Sequence, residues 1–111
     1  MTADEFRRIA LSLSGAIEKS HQRHPDFRAN NKIFASLGYP DETFGTVKLT
    51  PEQQREFVQL HATVFTPVKG AWGLQGSTLV HLAAGDSETI GEALTAAWRN
   101  VQTKTKPKKK R

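Results

Sequence analysis

The sequence contains no cysteine. That excludes a disulfide scaffold, a thiolate zinc site, an iron–sulfur cluster and a cysteine nucleophile. No apolar run approaches the ~20 residues that cross a bilayer. The first residues carry Asp4 and Glu5 in an amphipathic pattern. A basic stretch followed by an apolar one is missing there, so a soluble, cytoplasmic protein without a membrane partner is expected. No G-x-S-x-G or S-x-x-K nucleophile motif is present, and no phosphate-binding loop. Gly70, Gly73 and Gly76 have the wrong spacing for a dinucleotide fingerprint. These absences argue against an enzyme and imply no cofactor.

What is present suffices for one domain. The 111 residues leave no room for a second. Leu, Ile, Val and Phe supply 25 of them, above the share of roughly one fifth below which chains stay disordered.

The net charge is +5, which at first sight suggests a polyanion partner. Its distribution says otherwise for the body. Residues 104–111 hold six cations: Lys104, Lys106, Lys108, Lys109, Lys110 and Arg111. Residues 1–103 then carry 10 basic against 11 acidic residues. The body is a single balanced domain, and the tail, with no apolar residue except Pro107, is expected to be disordered. A solvated end and an electrostatic arm for a polyanion both fit such a tail. Its PKKKR run also matches the pattern of a nuclear-localisation signal, a motif with many false positives.

Thr2 and Glu5 make a capping box, and Phe6, Ile9, Ala10 and Leu13 repeat on one helical face. Helix 1 is placed at about 3–13, ended by Ser14-Gly15. Residues 16–24 are polar, with Ile17 a candidate strand start. Asp26–Ala29 reads as a strand centred on Phe27, followed by a two-residue Asn30-Asn31 turn. In 32–37, Ile33, Ala35 and Leu37 alternate against Lys32, Phe34 and Ser36. Phe44–Leu49 is the next strand, with Thr46 and Lys48 on one face. Thr50, Pro51 and Gln53 start helix 2, about 51–60, with Phe57, Leu60 and Val64 as its buried stripe. Val64–Phe65 opens a short strand that Pro67 stops. Residues 70–76 form a Gly-rich loop around Trp72. Thr78–Leu82 is a strand. Helix 3, about 87–102, is capped by Asp86 or Ser87 and buries Ile90, Ala93, Leu94, Ala97, Trp98 and Val101. The order predicts an α+β fold with three helices and a mostly antiparallel sheet, because the strand pairs at 26–49 are joined too tightly for crossovers.

His21, His24 and Asp26 give three candidate metal ligands within six residues. No helix sets their geometry, so surface or hydrogen-bonded roles are expected and no metal. Asp4, Glu5, Glu52, Asp86 and Glu88 read as caps and dipole partners. The remaining signal is basic residues interleaved with aromatics: Phe27 with Arg28, Lys32 with Phe34, Lys48, and Lys69 with Trp72. Nucleic acid needs cations for phosphates and planar faces for exposed bases. Phe27 and Phe34 also fit the core, and Trp72 fits either an exposed binding role or a cover over the core. Lys48 is expected on the open face of the sheet, near Trp72.

Several stretches, in order, resemble the MmcQ/YjbR family of small bacterial proteins. They are His24-Pro25-Asp26-Phe27-Arg28, Lys32-Ile33-Phe34-Ala35, Val47-Lys48-Leu49-Thr50-Pro51-Glu52-Gln53, Phe65-Thr66-Pro67, Gly70-Ala71-Trp72-Gly73, Gly76-Ser77-Thr78, and Ala93-Leu94 with Ala96-Ala97-Trp98-Arg99. The match spans about 1–102 and leaves the tail outside. The resemblance implies a double-wing domain of the DNA-binding type, in which two β-hairpin wings flank a helical face. It supplies no catalytic residues, and its candidate contacts on this chain are Lys32, Lys48, Trp72 and Arg99. The expected function is a small non-enzymatic DNA-binding module, monomeric, weak and largely sequence-nonspecific. Arg28, Lys32 and Lys69 would touch phosphates, with the 104–111 arm adding affinity. The alternative is a protein- or small-ligand-interaction domain with a pocket near Trp72 and Lys48 and no nucleic-acid partner.

Overall fold

Helix α1 (Ala3–Ser12) starts where its cap dictates: the Thr2 hydroxyl accepts from the Glu5 amide, and the Glu5 carboxylate accepts from the Thr2 amide. The computed structural model describes residues 1–102. The expectation for the tail lies outside them. Six more chain segments follow the sequence pattern closely. Strands β2 (His24–Ala29), β3 (Lys32–Leu37) and β4 (Phe44–Lys48) lead into helix α2 (Pro51–Leu60), whose Thr50–Gln53 capping box is fully formed. Strand β6 (Ser77–His81) precedes the long helix α4 (Ser87–Asn100), capped by Asp86.

Strand β1 (Ile17–His21) is complete, where the sequence offers only Ile17 as a start. It is exposed throughout, so it carries no burial alternation to read. Its turn to β2 places Gln22 and Arg23 at positive φ, 50° and 71°. Neither residue type advertises that conformation. The Asn30-Asn31 turn, at 54° and 65°, uses residues that do. The expected loop at 70–76 holds a single helical turn, α3 (Ala71–Leu74), so the described residues form four α-helices and not three. Before it, β5 (Phe65–Pro67) pairs along the sheet edge, where Pro67 is tolerated.

The six strands form one antiparallel sheet in the order β1-β2-β3-β4-β6-β5. Helices α1 and α4 cover one face. Phe6 and Ala10 from α1 and Ile90, Ala93, Leu94 and Ala97 from α4 meet Phe27, Phe34, Ala35, Val47 and Val80 of the sheet, all buried. Each large apolar side chain so buried contributes about 1.5–3 kcal/mol. Trp98 packs against this core without entering it, and its indole N–H donates to the Ser14 carbonyl at 2.8 Å.

Two details of the burial pattern depart from strict periodicity. Phe27 pairs with Ala35 and Arg28 with Ile33, which leaves Phe34 as an extra residue in the ladder. This bulge turns Phe34 into the core beside Ala35 and moves Ile33 to the opposite face. In α2 the buried residue is Gln54, with Phe57 and Val58 half-buried, while Leu60 is 74% exposed. The helix packs its Phe57 ring edge-on to Phe65, and that docking sets its phase one residue away from the apolar positions alone.

Candidate functional site

The sheet face away from α1 and α4 is uncovered among the described residues, and register decides what stands on it. Directly paired residues share a face. Lys19 pairs with Asp26, His21 with His24, Asp26 with Ser36, Ser36 with Thr46, Lys48 with Ser77 and Phe44 with His81. Asp26 is the only acid among the strand residues of this face, against Lys19, Arg28 and Lys48. Three of the four histidines are here too. The body's other acids lie on the helices, in the turns or, as with Glu18, on the helix side, where Glu18 bonds Arg7. Balanced composition therefore conceals segregated charge.

Asp26 is fully buried in the middle of this face. Arg28 reaches it twice, Nε to Oδ1 at 2.7 Å and Nη2 to Oδ2 at 3.1 Å, and His21 Nδ1–H donates to Oδ2 at 2.7 Å. The Arg28 guanidinium holds the carboxyl below its ordinary range, against the opposing effect of burial, with His21 helping. The same contact raises Arg28. A bidentate partner of this kind fixes Arg28 in place. Of the three candidate ligands His21, His24 and Asp26, His21 is hydrogen-bonded to Asp26, and no group of three ligating side chains occurs among the described residues.

Lys48 and Trp72 meet as the alternation of β4 predicts. Lys48 Nζ lies over the Trp72 ring, 5.6 Å from its centroid. Trp72 itself is 63% exposed. The turn that presents it is tightly packed underneath. A Cβ at Gly73 would stand 1.6 Å from the Val68 carbonyl oxygen, and one at Gly76, whose φ is +112°, would stand 1.8 Å from that of Leu49. Only glycine fits at either position. Gln54, from α2, donates its amide to Gly73 O at 3.1 Å, Ser77 O at 3.0 Å and Thr78 Oγ1 at 3.2 Å. From α4, the Asn100 amide donates to the Lys48 carbonyl at 3.1 Å and to Gln53 Oε1 at 2.8 Å. Gln54 and Asn100 are positioning residues that the sequence did not reveal. A polar residue in a polar helical stretch carries no periodic signal that it faces inward.

Around this pair lies an open cleft of about 690 Å³. Ser36, Thr46 and Ser77 line its floor, and the Ser36 and Thr46 hydroxyls bond each other. Ile33 and Val68 supply apolar patches, His21 and His24 stand on β1 and β2, away from the β4 side that carries the Lys48–Trp72 pair, and Tyr39 also lines the cleft. Tyr39 is 49% exposed.

The other predicted contacts scatter. Lys69 is exposed in the turn between β5 and α3, next to Val68 of the cleft. Lys32, at the β2–β3 turn, pairs with buried Ala29 and so stands on the helix side. Arg99 lines a separate groove between α1 and α4, with Ile9 and Glu92. Lys104, Lys106, Lys108, Lys109, Lys110 and Arg111 lie outside the described residues. Among the described residues no helix is long and apolar enough to cross a membrane.

The YjbR family model matches residues 11–100. The crystal structure of Deinococcus radiodurans protein DR2400, a DUF419 domain, is similar at 21% identity with a TM-score of 0.74. That likeness covers 96% of this chain and 83% of the other, and at such identity it speaks for the fold. No curated protein matches the sequence.

Proposed function

The chain belongs to the YjbR family, and on that premise we propose that it is a non-enzymatic, cytoplasmic nucleic-acid-binding module that holds DNA on the open face of its sheet. The observation that carries this reading is the Lys48–Trp72 pair, a cation and an exposed aromatic plane side by side on a face whose one acid is neutralised. Polyanion binding needs cations free of acidic competition, and exposed bases need a flat apolar surface. Lys69 extends the basic edge, and the six cations of 104–111 add charge in sequence. Arg28 supports the reading indirectly: its two bonds to Asp26 shape the face.

The cleft is also within the roughly 300–1,000 Å³ range of small-ligand sites, which keeps a small-molecule or protein ligand as the second reading. A salt series separates them. A phosphate contact releases counterions, so Lys48→Ala should flatten the log–log salt slope of DNA binding by about 0.9. Binding of the full chain to labelled DNA, measured by anisotropy, should show that change. If the full chain binds no DNA even at ~20 mM salt, where the Debye length exceeds 20 Å, the small-ligand reading replaces this one.

A further inference from the structure

We propose that the cleft beside Trp72 takes an unpaired nucleotide, so that the partner of this face is single-stranded nucleic acid. The inference rests on the nucleic-acid reading above and narrows its ligand.

Trp72 is exposed by construction. Gly73 presses its backbone against the Val68 carbonyl, and Gln54 bonds the Gly73 carbonyl from below. The indole stands on a braced turn that is anchored to α2 and β6. Such a ring can stack only on a base whose face is free, and the stacking of neighbouring pairs within a duplex hides the faces of all internal bases. Lys48 lies close enough to the ring to reach the phosphate of a nucleotide whose base is stacked there. Tyr39, on the same cleft, offers a second ring for a neighbouring base.

The charge count points the same way. A duplex carries one negative charge per ~1.7 Å of its axis, so a protein that grips it gathers many phosphates. On this face Arg28 is committed to Asp26, which leaves Lys19 and Lys48 as the strand cations without a carboxylate partner among the described residues. That complement suits a few phosphates of a flexible strand, with stacking providing the remaining affinity. The cleft floor presents hydroxyls, which donate and accept alike and favour no particular base.

The test compares an oligo(dT) of about 12 nucleotides, within the ~4–16 that small single-strand binders span, with a duplex of equal length and with free thymidine monophosphate. The full chain is used as wild type, Trp72→Ala and Trp72→Phe. The single strand should bind more tightly than the duplex. Trp72→Ala should weaken it about tenfold, the loss of one stacked base. Trp72→Phe should restore most of the affinity, and neither change should alter duplex binding. Duplex binding equal to or tighter than the single strand, unaffected at Trp72, overturns the inference while leaving nucleic-acid binding intact. Full competition by the monophosphate at comparable affinity overturns it in favour of a free nucleotide. Absence of binding to either form of DNA removes the function from which it starts.

Discussion

Replacing Gln54 with Met keeps the length of a nearly buried side chain and removes only its amide. The amide nitrogen has two hydrogens and three acceptors, at 3.0–3.2 Å, so two bonds' worth of energy is at stake. Each net hydrogen bond contributes about 1 kcal/mol, and acceptors left buried without a partner add to the loss. Gln54→Met should therefore destabilise the fold by about 2–3 kcal/mol. For a domain of this size about 4 °C accompanies each kcal/mol, so Tm should fall by roughly 8–12 °C. Circular dichroism during thermal unfolding reads this directly. Gln54→Glu should be worse at neutral pH, because a carboxylate faces three oxygens without a hydrogen to share. Its deficit should narrow near pH ~4, where protonation supplies a donor. A Gln54→Met protein melting within about 2 °C of wild type would show that the amide does not brace the Trp72 turn.

Two further outcomes follow from the same contacts. Because Arg28 lowers the folded-state pKa of Asp26, this carboxylate adds stability above its unfolded value of about 3.9 and loses it as pH falls through the folded value. Urea unfolding should show the wild-type advantage over Asp26→Asn narrowing from about pH 5 downward, and a gap that stays constant to about pH 2 contradicts the ion-pair account. Gly73→Ala, which forces a Cβ against the Val68 carbonyl, should lower Tm and shift the Trp72 indole N–H resonance. An unchanged resonance with unchanged Tm would mean that the turn is not constrained there.

The sequence made the helices legible where caps and periodicity agreed. Thr2 and Thr50 each marked an N-terminus, Asp86 or Ser87 bracketed a third, which the structure gives to Asp86, and the Ile90–Ala97 stripe identified the long helix. What escaped it depended on tertiary contact. The Phe34 bulge arises from the register between β2 and β3, so strict alternation misassigned Ile33. Leu60 looked buried by spacing, yet α2 turns Gln54 inward to reach α3 and β6. The glycines at 70–76 suggested a loop, whereas Gly73 and Gly76 permit close backbone packing around a helical turn. At the site, Lys48 and Trp72 were legible as neighbours because alternation puts Lys48 on the open face. The charge bias of that face was not, because a sum over the chain carries no information about sides.

The most direct test of the central claim is a ¹⁵N–¹H NMR titration of the full chain with DNA. Nucleic-acid binding on the open sheet face predicts shifts concentrated at Thr46, Lys48, Trp72 and Ser77, with the Trp72 indole N–H moving and that of Trp98 still. Shifts confined to α1 and α4 around Arg99, or none in residues 1–102, would contradict it.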